Sequence, residues 1–274
     1  MRLIPLVAQI CKAFAEADLD HLRTVQKVKH DQVRDVVTEL DMNLHNISSV
    51  FSSSQLIGSK FLSEEGCNDG MTLGDLFAGK WLVVDPLDGS NNYALQLPGY
   101  GYMAAVIDEG FITSACVVLP EHDQYIVMEG AAILVSQPIA TIEVASNAPI
   151  YYAYPPKQDS AALIARNELQ ALIDSMSSGM YRYGSACIGL YNLMRGKHQA
   201  FIGHQIRIWD ALAFLPILRA SNIDVYYYLD GLSITLVAGR NAEILKFSAA
   251  IIEKAQGMSL RKYEICDRLK VNSL

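Results

Sequence analysis

The sequence predicts an α/β protein of two packed lobes, an α+β lobe over residues 1–137 and an α/β lobe over residues 138–274. Three observations carry this reading. Apolar residues recur every three or four positions near the N-terminus, a group of strands separated by turn residues follows, and beyond residue 138 strands and helices alternate. No Gly-, Ser- or Pro-rich linker separates the lobes.

Leu3, Ile4, Val7, Ile10 and Phe14, then Leu22, Val25 and Val28, predict helix over residues 3–28 with a break near Asp18–Asp20. The same spacing resumes after Asp35 and predicts a helix over 33–51. A short strand is expected between Gly58 and Glu65. Trp81–Val84 reads as a strand that stops at Asp85, because Pro86 has no N–H to give a ladder. YGYMAAVID (100–108), ITSACVVLP (112–120) and QYIVMEG (124–130) form an antiparallel meander by their turn signals. In the second lobe, strands are predicted at 141–146, 180–185, 199–203, 223–229 and 232–238. Helices are predicted at 158–176, 186–195, 209–220 and 242–255.

Composition narrows the function. Of 274 residues 51% are hydrophobic, enough for a sizeable core. The net charge is -7 and no Lys/Arg cluster occurs, which argues against nucleic acid as the main partner. Charges in the first 30 residues and the lack of a long apolar run speak against a signal peptide or membrane span, so a cytoplasmic location is the default expectation. Cys11, Cys67, Cys116, Cys187 and Cys266 are scattered without a C-x-x-C pair; they predict reduced thiols rather than a disulfide framework or zinc site.

The stretch WLVVDPLDGSNNY (81–93) gathers charge where a strand ends. Pro86 turns the chain so that Asp85 and Asp88 fall on one side. Gly89 permits angles closed to other residues, and Ser90 or Asn91 can cap a short helix running to Gln96. Cation ligands and an anion-binding helix end would then lie side by side. The same residues also suit a polar hairpin turn. An EF-hand does not fit, because Leu87 and Gly89 occupy positions that need oxygen ligands. Glu64-Glu65 reads as a solvated turn or a ligand pair, and Asp210, opening a helix after Trp209, as an N-cap or a ligand. Taken together, these positions supply the carboxylates that a pair of hard divalent cations needs.

The motifs D35-V-V-T-E-L-D41, S63-E64-E65, D85-P-L-D88-G89-S90-x-N92-Y93 and W209-D210-A-L-A, in this order along the chain, resemble the inositol monophosphatase family of magnesium-dependent, lithium-sensitive phosphatases related to fructose-1,6-bisphosphatase. Y183-G184-S185-A186 resembles the family's substrate-side turn. The resemblance implies a layered αβαβα sandwich like that of sugar phosphatases. It also implies a Mg²⁺ site of two or three ions, with Glu64, Asp85, Asp88, Asp210 and the Leu87 carbonyl as ligands. Glu64 and Ser90 would activate the attacking water, and Asp41 would support Ser90 or hold a third ion. Asp88, Gly89, Ser90, Gly184, Ser185, Ala186 and Arg207 would face the substrate.

That substrate is expected to be a small phosphorylated polyol or sugar such as inositol monophosphate. A 3'(2'),5'-bisphosphate nucleotide, fructose 1,6-bisphosphate and a non-catalytic, partner-binding role are the alternatives. A homodimer is what the resemblance implies for assembly. Several positions depart from the pattern. Gly203 stands where many members carry a glutamate, with His204 and Arg207 nearby as candidate contacts, and Lys27 or Lys29 stands near the place of a family lysine. Pro216 is expected to kink the helix after Asp210, with Asn222 replacing a terminal glycine. The tyrosines at 151, 152 and 154 and at 226–228 could stack on a base, although packing explains them as well.

Overall fold

The computed structural model describes residues 1–17, 25–28, 36–66, 72–155, 160–265 and 267–269. Its elements, in chain order, begin with α1 (Ile4–Glu16), β1 (Val25–Val28), β2 (Val36–Thr38), α2 (Glu39–Gln55), β3 (Lys60–Ser63), α3 (Leu73–Leu76), β4 (Lys80–Asp88) and α4 (Ser90–Ala94). The meander follows as β5 (Gly101–Asp108), β6 (Phe111–Leu119), β7 (Gln124–Glu129) and β8 (Ala132–Val135). The remainder comprises β9 (Ile150–Ala153), α5 (Ser160–Met176), β10 (Met180–Tyr181), α6 (Ala186–Met194), β11 (Ala200–Arg207), α7 (Phe214–Ala220), β12 (Asp224–Asp230), β13 (Ser233–Gly239), α8 (Ala242–Gln256) and β14 (Arg261–Lys262).

Two six-stranded sheets, ordered β3-β4-β5-β6-β7-β8 and β10-β9-β11-β13-β12-β14, carry the architecture. Alternation along their strands shows how the layers stack. On β4, Leu82 and Val84 join α1 and α2 in one core. Trp81 and Val83 face the opposite way, into a core shared with α6 and α7. On β11, Phe201 enters that same central core, whereas Ala200 and Ile202 pack against α5 and α8. The order is therefore α1/α2, sheet, α6/α7, sheet, α5/α8: the αβαβα sandwich. Both faces of β4 are covered, which is why it reads as an unbroken apolar run. Each large side chain buried this way contributes about 1.5–3 kcal/mol.

Local chemistry sets the boundaries. Thr38 caps α2 by a reciprocal box, in which its backbone N–H donates to Asp41 Oδ2 (2.7 Å) and Asp41 N–H reaches Thr38 Oγ1 (3.4 Å). We expect Thr38→Ala to lower stability to urea by about 1–2 kcal/mol, with Thr38→Ser recovering most of it. Helix α7 ends in a Schellman turn: Asn222 is left-handed (φ 56°), its N–H donates to Arg219 O (3.1 Å), and Ile223 N–H donates to Leu218 O (3.0 Å).

Several sequence expectations are corrected. Residues 25–28 are a strand, paired antiparallel with β2, and not helix. The valines at a helical spacing are β-branched and suit a pleated ribbon. The α2 helix starts at Glu39 and not at 33, because the Thr38 cap lies there. Strand β4 does not end at Asp85. Pairing with β5 shifts register and resumes at Asp88↔Gly101, so Pro86 and Leu87 occupy an irregularity in the ladder that needs no proline N–H. No strand forms at 141–146, where Ile142 is 61% exposed and nothing buries an apolar face. The strand 180–185 shrinks to Met180–Tyr181, while 199–203 extends to Arg207; β2, α3, β8, β9 and β14 were not foreseen.

Instead of one helix over 209–220, a 3-10 turn at Ile208–Asp210 precedes α7, which places Pro216 in the first turn of α7. An N–H there has no intrahelical partner in any case, so no kink is needed. Asp18 to Thr24, Lys29 to Asp35, Cys67 and Cys266 lie outside the described residues. Among the described residues Cys11, Cys116 and Cys187 are free thiols, and no helix is long and apolar enough to cross a membrane.

Candidate metal and phosphate site

The parallel pairing of β3 with β4 aligns Ser63 with Val84, so the turn carrying Glu64 leaves its strand beside Asp85. Asp85 is 1% exposed, and the Leu87 side chain anchors the following residue in the core. Gly89 then takes a left-handed conformation (φ 89°) and starts α4. Gly89, and not Ser90 or Asn91, is the N-cap residue. That leaves the Ser90 hydroxyl to donate inward, to Asp41 Oδ1 (2.6 Å) with the Leu87 carbonyl as a second acceptor at 2.7 Å.

Asp41 is wholly buried, and its Oδ2 accepts from Thr38 N–H (2.7 Å) and Thr38 Oγ1 (2.5 Å). Burial pushes its carboxyl above the usual range; the Ser90 and Thr38 donors pull it back, and the charge of Glu64 adds a further push upward.

Asp88 reaches the start of α6. Its carboxylate accepts from Ser185 Oγ (2.7 Å), Ala186 N–H (3.1 Å) and Cys187 N–H (2.6 Å), capping the start of α6. Burial raises this carboxyl, and the donors oppose it. Asp210 ends the 3-10 turn, and its Oδ2 accepts from Arg207 N–H (3.2 Å). Its carboxyl is held well above the ordinary value, first by burial and then by the charges of Glu64 and Asp88. Glu64 and Asp88 therefore both act on Asp210, although the three come from distant parts of the chain.

The substrate-side turn lies against the same place. Gly184 is left-handed (φ 74°). The Asn92 amide donates to Tyr183 O (2.8 Å) and Gly99 O (2.7 Å), which clamps this turn to the loop following α4. Sequence reasoning quoted Asn92 as part of the motif but assigned it no work, and it missed that Cys187 meets Asp88. Neither contact leaves a local signal, since the partners are 91 and 99 residues apart.

Other expectations resolve differently. His204 is fully buried on β11, with Nδ1 3.1 Å from Tyr152 Oη and Nε2 2.6 Å from the Gln256 amide, so it is a core residue. At Gly203 a Cβ would lie 2.8 Å from Ile206 Cδ1 and 3.0 Å from Leu236 Cδ2, so the family's glutamate would require those side-chain ends to move. Arg207 is exposed, its guanidinium 5.7 Å from the Trp209 ring and its charge drawing on Asp210. Tyr151, Tyr152 and Tyr227 are buried in packing cores. Lys27 falls in β1, and Lys29 lies outside the described residues.

The donor set is entirely oxygen, the chemistry of Mg²⁺ or Ca²⁺. Among the described residues no three acidic, imidazole or thiol groups converge on one point as an ion would require. The hydrogen bonds explain this: Asp88 is turned onto α6 and Asp210 onto the Arg207 amide. Like charges that strain one another in a partly buried cluster, beside a peptide carbonyl, still form a set whose electrostatic cost a hard cation offsets.

A layered αβαβα sandwich on two mixed six-stranded sheets is the fold of the IMPases among its solved neighbours. The chain belongs to the inositol monophosphatase family, a family of phosphatases, whose sequence model matches residues 4–254. It is 24% identical over 236 residues to the histidinol-phosphatase of Chlorobaculum parvum, covering 78% of this chain and 83% of that protein. It is 25% identical over 141 residues to the Nus factor SuhB of Xylella fastidiosa, covering 50% of this chain and 51% of that one, so this match spans about half of that relative. Among solved structures, an IMPase/NADP phosphatase complexed with Mg²⁺ and phosphate superposes with a TM-score of 0.69 at 18% identity, covering 94% of this chain and 95% of that one. That last likeness concerns the fold.

Proposed function

We propose that the protein is a Mg²⁺-dependent phosphomonoesterase of a small phosphorylated polyol or sugar such as inositol monophosphate. The observation that carries this reading is the Asp41–Ser90–Leu87 hydrogen-bond array set beside Glu64, Asp85, Asp88 and Asp210. Glu64, Asp85, Asp88, Asp210 and the Leu87 carbonyl would hold the ions, two or three in number. Bound Mg²⁺ supplies charge to the phosphoryl oxygens and lowers the pKa of a water.

The protein's own groups do the rest. Asp41 accepts a hydrogen bond from the Ser90 hydroxyl, which orients the Ser90 Oγ lone pairs towards the attacking water while Glu64 takes the water's proton. Gly89 and Ser90 offer backbone N–H groups to the phosphate. Ser185 and Ala186, fixed to Asp88, and Arg207, beside Asp210, would line the leaving-group side. Lithium sensitivity and a homodimer are part of the same reading.

The test is a panel of inositol 1-phosphate, histidinol phosphate, 3'-phosphoadenosine 5'-phosphate and fructose 1,6-bisphosphate, assayed for phosphate release with Mg²⁺. Turnover of one or more supports the reading; no release from any of them overturns it. A partner-binding role, favoured by the glycine at 203 in place of the family's glutamate and by the likeness to SuhB, would show no release and no Mg²⁺ binding.

Metal linkage gives a separate expectation. Asp88 and Asp210 have folded pKa values above the unfolded value near 4. For an acid raised by folding, the ionised form costs stability, so in chelator the protein weakens as pH rises through the unfolded value towards the folded one. Mg²⁺ at a hundredfold excess over its Kd should restore about 2.7 kcal/mol. The gain in thermal midpoint should be larger at pH 8 than at pH 5, where protons compete for the ligands.

A further inference from the structure

A cleft of about 640 Å³ lies on the α1 side of the first sheet, and none of Glu64, Asp85, Asp88 and Asp210 lines it. This volume falls within the range of small-molecule sites. Its inner wall is aromatic: Phe14 from α1 and Tyr100 face each other with ring centroids 6.2 Å apart, Tyr93 supports Tyr100 edge-on at 5.2 Å, and Tyr125 closes the opposite side. Its rim carries Glu121 and Asp123, both exposed, and among the described residues lining it there is no lysine, arginine or histidine. Aromatic faces and carboxylates favour the same kind of ligand, a positive charge on an apolar body.

Other occupants fit less well. An anion would meet two negative charges. A bare metal ion would find two exposed carboxylates beside apolar rings, with no third acidic, imidazole or thiol group converging on it among the described residues. Cys11, also on the wall, has its thiol pushed up by burial and by Asp123, so it stays neutral at ordinary pH and adds no competing chemistry.

The cleft is also wired to the loop behind the site. Glu121 Oε2 accepts from Gly99 N–H (2.6 Å), and Gly99 O accepts from the Asn92 amide that clamps Tyr183. We propose that this cleft binds a small organic cation, an ammonium group carried on an aromatic or aliphatic body, with Glu121 and Asp123 neutralising the charge and Phe14 and Tyr100 covering the body. Occupancy is sensed first at the Gly99 amide.

The test uses benzyltrimethylammonium chloride as probe and benzyl alcohol as its neutral counterpart, titrated into the full ¹⁵N-labelled chain. Saturable shifts of the Gly99 and Gln124 amides with the cation, and none with the alcohol, are the expected result. Glu121→Gln with Asp123→Asn retains the Gly99 acceptor and a residue tolerant of the left-handed angle at 123 (φ 47°), and should weaken binding about tenfold or more. Phe14→Leu, which keeps the site apolar but removes a ring face, should weaken it about threefold or more. An absence of saturable shifts, equal response to the alcohol, or affinity unchanged in the double variant overturns the proposal.

Discussion

Asp210→Asn protein is expected to release phosphate at least about a hundredfold more slowly than the parent and to lose Mg²⁺ binding, since even outer-shell partners of a metal cost 10–100-fold. The substitution is nearly isosteric, and the asparagine oxygen can still accept from Arg207 N–H. What disappears is the charge that Glu64 and Asp88 oppose. The metal-free variant should therefore melt no lower than the parent, and slightly higher above pH 5. This pairing of outcomes is diagnostic, because a merely structural aspartate would show the reverse. Activity would be read by phosphate release, binding by calorimetry and stability by thermal melts in chelator. Retained Mg²⁺ binding in Asp210→Asn would remove this residue from the ligand set, and retained turnover would remove it from the mechanism.

Gly89→Ala is expected to cost about 3 kcal/mol or more and to abolish turnover, because two penalties fall on one residue. Its φ of +89° suits glycine, and a Cβ would lie 2.6 Å from Gly99 O and 3.2 Å from both Ser185 Cβ and Tyr100 Cα. The nearest obstacle is backbone, which cannot rotate aside. Gly58→Ala is the control: its φ is +79° but nothing lies within 4 Å of the added methyl, so only the conformational cost of about 1–2 kcal/mol remains. Urea denaturation of the two variants separates the contributions. Equal losses would mean that the contact between the aspartate turn, Gly99 and the Ser185 turn carries no energy.

Elements held together by neighbours in sequence were readable in advance. The apolar run into Asp85 announced a strand, Asn222 announced a helix end, and the Gly89 turn announced a change of direction. Where one-dimensional spacing was ambiguous, reading failed. Val25 and Val28 sit three apart as on a helix, and only pairing with Val36–Thr38 makes them a strand. Thr141 to Ser146 alternates like a strand, but no partner buries it.

The candidate residues divide in the same way. The turn from Asp85 to Ser90 was legible because six consecutive residues that include a proline and a glycine allow few conformations. The contact of Asp41 with Ser90 spans 49 residues, and that of Asp88 with α6 spans nearly a hundred. Family and local turn could be read from the chain alone, because φ/ψ limits and missing N–H groups act within a few residues. Only the packed structure reveals that Asp88 meets the start of α6, that His204 belongs to the core and that Ile206 and Leu236 crowd Gly203. Burial and charge proximity depend on which distant surfaces pack together, and no short stretch of chain encodes that.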